Sequence, residues 1–148
     1  MGIPNADSAE NGDPKAVHVV TPLSCASPHR GTLDPKMVGL NGLRVLPGTR
    51  LAGYMGAGEH HEGFFCNYGV GAEFRQQFER SGLRISALGT DGEIRGVESE
   101  RHPFFIATLF QPQLTSVATG KPHPLLVAYL RAVAEHSKVH DARLAAER

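Results

Sequence analysis

The chain has 148 residues, which suits a single domain, and its 15 basic residues balance its 15 acidic ones. This balance gives neither the basic excess typical of nucleic-acid binding nor an acidic tail, and no apolar stretch reaches the roughly 20 residues that a membrane span needs. The polar amino terminus lacks the pattern of a signal peptide. We therefore expect a cytoplasmic protein with no nucleic-acid or membrane partner, in which Cys25 and Cys66 are thiols.

The first part of the chain is predicted to be a lead-in followed by a strand and a loop. Residues 1–15 are rich in Gly, Pro, Asn and Asp and are predicted to be flexible. Ala16 to Val20 is a β-branched run that stops before Pro22, which favours a strand. Residues 24–36 contain prolines and a glycine and are predicted to form a loop.

The next segment predicts a strand, a turn and a long loop. The stretch from Leu40 to Leu51 has alternating apolar positions, at Leu43 and Val45, followed by Pro47-Gly48, as in a strand that ends in a turn. Gly53 to Gly63 is glycine-rich and is predicted to be a mobile loop. Its Glu59-His60-His61-Glu62 cluster offers four potential metal ligands, but adjacent histidines point to opposite sides of an extended chain. We expect a solvated loop and no metal there.

The second half alternates strand and helix signals. Phe64 to Val70 is a candidate strand, and Glu73 to Ser81 is predicted to be a helix that Gly82 ends. Two apolar stretches, 83–88 and 94–98, flank Thr90-Asp91-Gly92, a strong hairpin signal.

The last apolar segments predict one strand and one helix. Phe104 to Phe110 is a continuous apolar run, typical of a strand buried on both faces. Pro124 to Ala134 has helical apolar spacing with proline in the first turn, and the charged residues 136–148 are expected to continue as a helical tail.

The run that ends in Gln111-Pro112-Gln113 resembles the last catalytic strand of class I glutamine amidotransferases of the CTP synthase type. In that family the strand ends in His-Pro-Glu, where the histidine is the base of a Cys-His-Glu triad and the glutamate orients it. A carboxamide has no accessible pKa near neutrality, so Gln111 cannot take a proton from a thiol. The resemblance therefore implies a catalytic outline, at Gln111 and Gln113, without its acid–base chemistry.

Further segments extend the resemblance over residues 37 to 135. They are the helix at 73–83, the hairpin at Asp91 to Arg95 and the segment Pro122 to Leu126. The subgroup of CTP synthase C-terminal-region-related, stand-alone proteins is the most similar. Pro22 to Cys25, Cys66 to Gly69 and Thr108 to Pro112 carry that likeness.

Two departures from the family bear on the chemistry. The sequence has no Gly-x-Cys-x-Gly nucleophile elbow, and the family's amino-terminal half has no counterpart in it. Asn67 aligns with the family's arginine that holds the substrate carboxylate, and a neutral amide cannot replace that clamp. Cys66, Asn67 and Tyr68 are the candidate substrate-binding residues. Cys66 could also be a repurposed nucleophile with His60 or His61, although buried structural cysteines are common.

The resemblance implies an α/β fold, the carboxy-terminal part of a flavodoxin-like amidotransferase domain, with a mostly parallel sheet and a small antiparallel hairpin. Residues 16–135 would form this partial domain, as a gene fragment, half of a split assembly or a rearranged domain. The family reaction, glutamine hydrolysis that supplies ammonia for CTP biosynthesis, is expected to be lost. The alternative is a non-catalytic binding or assembly module. Expected partners are glutamine or a related small molecule, and a second copy or a complementing chain, with no cofactor.

Overall fold

The computed structural model describes residues 2–23 and 37–146. Cys25 and the loop predicted at 24–36 lie outside this part. The described chain forms eight strands and four α-helices. The strands are β1 (Ala6–Ser8), β2 (Val17–Pro22), β3 (Met37–Val45), β4 (Gly58–Cys66), β5 (Tyr68–Val70), β6 (Leu83–Gly89), β7 (Ile94–Ser99) and β8 (Ile106–Thr108). The helices are α1 (Arg50–Met55), α2 (Arg75–Arg80), α3 (Pro112–Thr119) and α4 (Pro124–Ala146). Among the described residues, no helix combines the length and apolarity needed to cross a membrane.

The strands form two sheets. The larger has five strands in the order β4-β3-β6-β7-β8, and the smaller has three in the order β1-β2-β5. Every pairing in the larger sheet is antiparallel, and β1 with β2 is the parallel pair of the smaller one. The prediction of a mostly parallel sheet is therefore wrong for the described strands. Short connections, such as residues 90–93 between β6 and β7, leave no room for the crossover that parallel strands require.

Apolar residues cover both faces of the larger sheet. On one face, Leu43, Val45 and Phe64 pack with Leu51 of α1 and Leu125 of α4. In a second cluster, α2 packs against the β6–β7 hairpin, and Val19 and Val70 of the smaller sheet pack against it. Its buried residues are Phe78, Ile85, Leu88, Ile94 and Val97. The sheet is thus the middle layer between helices on one side and α2 with the smaller sheet on the other.

Three predicted segments have a different structure. The expected loop at 53–63 contains the end of α1 and most of β4, which pairs with β3 along nine residue positions. The expected doubly buried strand at 104–110 is reduced to the three residues of β8, which pair with β7 alone. β8 is the edge of the sheet, and Phe105, which precedes it, is 42% exposed. The lead-in at 1–15 contains β1 and a 3-10 turn at Ala9–Asn11.

A side chain of α1 holds the connection between β7 and β8. The guanidinium of Arg50 donates to the carbonyl oxygens of Glu100, His102 and Pro103, at 3.2, 2.7 and 3.0 Å. These hydrogen bonds fix the loop relative to α1. The loop is followed by β8 and then by α3, where the candidate site begins.

Candidate functional site

Gln111 lies where the chain passes from β8 into α3. Its backbone N–H donates to the Gly63 carbonyl at 2.7 Å, and its Nε2 donates to the Phe65 carbonyl at 3.2 Å. Gln113 Nε2 donates to Gln111 Oε1 at 3.2 Å. The two predicted residues are thus brought together against the end of β4. Both side chains are neutral amides, which donate and accept hydrogen bonds but exchange no proton near neutrality.

Cys66 ends β4, next to the carbonyl that Gln111 contacts, and carries a free thiol. Burial raises the pKa of the Cys66 thiol, although the charge of Arg95 acts in the opposite direction. The nucleophilic form of cysteine is the thiolate, so this thiol is not activated at neutral pH. His61 and His60 precede it on the same strand by five and six residues, or about 16–20 Å at the usual rise per residue. Neither histidine can serve as the base for Cys66.

Asn67 and Tyr68 connect the two sheets. The Asn67 carbonyl accepts a hydrogen bond from the Leu23 N–H at 2.8 Å, and Tyr68 pairs with Pro22 at the start of β5. Tyr68 lines a cavity of about 190 Å³, mostly apolar, whose wall also includes Arg95 and Leu109 but not Gln111. Tyr68 therefore lines a cavity to which Gln111 does not contribute.

A buried polar cluster is formed by Glu62 of β4, Thr115 of α3 and His123. Glu62 Oε2 accepts hydrogen bonds from the Thr115 hydroxyl at 2.6 Å and from His123 Nε2 at 3.1 Å. His123 Nδ1 accepts the N–H of Leu125 in the first turn of α4 at 3.1 Å. Both ring nitrogens of His123 are therefore engaged in hydrogen bonds within the protein.

The charge of Glu62 is set by opposing effects. Burial raises the pKa of Glu62, but the hydrogen bonds from His123 and Thr115, with the electrostatic influence of His123 and His60, outweigh burial and lower it. The carboxylate is therefore ionised at neutral pH.

Sequence reasoning treated Glu62 as one of four potential metal ligands in a solvated loop, and it missed the partner of Glu62, His123, 61 positions away. The strand alternation that places Glu62 on the same face as the core residue Phe64 was the available signal. Within residues 2–23 and 37–140, no group of three or more His, Cys, Asp or Glu side chains could hold a metal ion.

Comparison with known proteins shows sequence similarity to bacterial CTP synthases. The CTP synthase of Rhodospirillum centenum is 34% identical over 147 residues, which cover 93% of this chain and 27% of that protein. Those of Gluconobacter oxydans and Sphingopyxis alaskensis are 30% and 31% identical over 92% and 93% of this chain. The chain spans about a quarter of the length of these curated relatives. No family model matches it.

The solved glutaminase domain of Trypanosoma brucei CTP synthase, with bound acivicin, has a similar fold. Its TM-score is 0.74 at 22% sequence identity, over 90% of this chain and 52% of the trypanosome chain. The fold is therefore that of a class I glutamine amidotransferase domain. The curated relatives make the assignment narrower: the chain is an amidotransferase domain of the CTP synthase type.

Proposed function

We propose that this chain is a glutamine amidotransferase-like domain that binds a small molecule and does not hydrolyse glutamine. The observation that carries the proposal is the Gln111–Gln113 pair, which the sequence resemblance aligns with the family's His-Pro-Glu. The two amides are hydrogen-bonded to each other, and Gln111 is also hydrogen-bonded to the end of β4. Neither amide can take up a proton near neutral pH. The raised pKa of Cys66 supports the same conclusion, because its thiol stays protonated at neutral pH.

Glutamine or a related small molecule is the ligand that we propose. The two carboxamides present both donors and acceptors, which suit another amide or a carboxylate. Cys66 and Asn67 follow the carbonyl that Gln111 contacts and would line the same region. The trypanosome domain of similar fold was solved with acivicin, which fits a ligand of this size.

Ammonia release from glutamine tests the loss of catalysis. We expect no release above that of heat-treated protein at saturating glutamine. Binding is followed separately by titration of glutamine into the intact protein and into Gln111→Ala, which should lose most of the affinity. Ammonia release that disappears in Cys66→Ala would identify Cys66 as a nucleophile and overturn the proposal. If the affinity for glutamine is unchanged in Gln111→Ala, glutamine does not bind at this site.

A second candidate is an assembly module that pairs with another copy or another chain. The observation that favours it is a stripe on α4 with helical spacing, at Leu126, Tyr129, Leu130 and Val133, each between 37% and 64% exposed. Exposed apolar stripes of this kind mark interaction surfaces. In this proposal residues 16–135 form the domain, 1–15 are a lead-in and 136–148 are a tail.

Sedimentation across a dilution series tests the assembly role. We expect an associated species that Leu130→Lys disperses, whereas Val117→Lys on α3, where Val117 is 83% exposed, leaves it unchanged. A monomer at every concentration, with the stripe residues still accessible, would argue against self-association.

A further inference from the structure

A cavity of about 390 Å³ lies beside the buried polar cluster, apart from the glutamine pair. Its wall combines the buried Glu62 and His123 with the exposed Lys121, and neither Gln111 nor Gln113 contributes to it. Met55, Pro122 and Pro124 add apolar surface. The cavity therefore has charged groups of both signs and an apolar side.

Most polar atoms in this wall already have partners. Thr115 and His123 both donate to Glu62 Oε2. The Thr119 hydroxyl donates to the Thr115 carbonyl at 2.8 Å, and His60 Nε2 lies 3.0 Å from the Gly56 carbonyl. These groups already form hydrogen bonds within the protein.

Glu62 Oε1 is the exception. No described residue donates a hydrogen bond to Glu62 Oε1, and this oxygen is not fully buried, so it can be reached from the cavity. A carboxylate oxygen in the wall of a cavity favours an occupant that donates a hydrogen bond to it. A cationic N–H group satisfies a carboxylate best, since charge-assisted hydrogen bonds are the strongest.

Lys121 supplies the opposite charge. It is exposed on the α3–α4 connection, and among residues 2–23 and 37–140 its ammonium makes no ion pair. A molecule with an ammonium group near Glu62 and an anionic group near Lys121 would neutralise both ends of the cavity.

We propose that this cavity binds a small zwitterion, a free amino acid with an apolar side chain. Its ammonium group donates to Glu62 Oε1, its carboxylate pairs with Lys121, and its side chain packs on Met55 and the two prolines. The site is independent of the ligand proposed at Gln111.

Leucine is a suitable probe, because two matched compounds each lack one charge. The compound 4-methylpentanoate lacks the ammonium group, and 3-methylbutylamine lacks the carboxylate. We expect leucine to shift the NMR signals of residues around Thr115 and Lys121, and each matched compound to bind at least about tenfold more weakly, as loss of a charged hydrogen bond predicts. Equal binding of all three would overturn the two-charge site.

Variants separate the two charged ends. Lys121→Met and Glu62→Gln should each weaken leucine binding at least about tenfold. Lys138→Met on the outside of α4 and Gln111→Ala should leave it unchanged. Lys121 is exposed, so its variant keeps the test valid even if Glu62→Gln is less stable. Absence of leucine-induced shifts in the intact protein, or binding unaffected by Lys121→Met, would overturn the proposal.

Discussion

The carboxylate of Glu98, in the middle of the larger sheet, accepts a hydrogen bond from the backbone N–H of Leu51 at 3.0 Å. Its other oxygen accepts the N–H of Arg50 at 2.8 Å, and the Thr49 hydroxyl accepts the N–H of Ala52. The free amides at the start of α1 are thus satisfied by β7 and by the N-cap residue. A helix of six residues has little stability alone, so α1 depends on this contact with the sheet.

We expect Glu98→Gln to lower the free energy of unfolding by about 1–3 kcal/mol, because the amide keeps one acceptor and turns a donor towards a backbone N–H. Urea unfolding at pH 7 measures this. Glu100→Gln is the matched control: Glu100 is exposed and pairs with Arg84, so its replacement should change stability by less than about 0.5 kcal/mol. Equal effects of the two variants would show that the cap contributes little.

Glu62 makes stability depend on pH in a defined direction. Its folded-state pKa lies below its ordinary value of 4.5, so the unfolded chain takes up the proton more readily. The contribution of Glu62 is therefore complete above about pH 4.5 and is lost as pH falls through the folded-state pKa. Urea midpoints between pH 7 and pH 3 should fall less steeply in Glu62→Gln than in the intact protein.

The exposed neighbour Glu59 provides the control, and Glu59→Gln should keep the slope of the intact protein. Parallel curves for the intact protein and Glu62→Gln would contradict the lowered pKa.

Gly63 permits the close approach of α3 to β4. A Cβ atom there would lie 2.5 Å from the Leu114 Cβ and 3.1 Å from the Thr115 N. We expect Gly63→Ala to destabilise the fold by about 1–3 kcal/mol, as overpacking does, and to disturb the hydrogen bond from Gln111 to the Gly63 carbonyl. Gly53→Ala in α1 meets no heavy atom within 4 Å and should stabilise by about 0.5–1 kcal/mol. Chemical denaturation measures the free energy of unfolding of both variants and tests both expectations.

Restoring the family's residues at the glutamine pair is expected to be insufficient. The double variant Gln111→His/Gln113→Glu gains a base and its orienting group, but the sequence has no Gly-x-Cys-x-Gly elbow to position a thiolate beside them. We expect no ammonia release from glutamine. Release that requires Cys66 in this background would show that the base alone was missing.

The elements that were predicted correctly are those whose secondary structure is determined by residues within the element or next to it. The hairpin was predicted from Asp91-Gly92, and Gly92 adopts φ of 80° in the turn while Asp91 forms an ion pair with the buried Arg95. The helices α2 and α4 were predicted from apolar spacing and from Gly82 and Pro124. In each case the signal lies within a few residues of the element.

The failures concern long-range pairing. β4 contains glycines and adjacent charges, which disfavour a strand, but its pairing with β3 overrides that propensity. β8 was expected at the centre of a sheet because its residues are apolar, yet no sequence pattern states how many neighbours a strand has. The glutamine pair was found from the family likeness, whereas the Glu62–His123 pair depends on the packing of α4 against the sheet, which the sequence does not specify.

Arg50 combines two roles in one residue. Its backbone N–H is held by Glu98, and its guanidinium holds three carbonyls between Glu100 and Pro103. Lifting α1 from the sheet therefore also releases the loop that positions β8. The amide hydrogens of Leu51 and of Ser99, whose N–H donates to the Phe105 carbonyl, should exchange with solvent through a single shared opening, with the same dependence on denaturant.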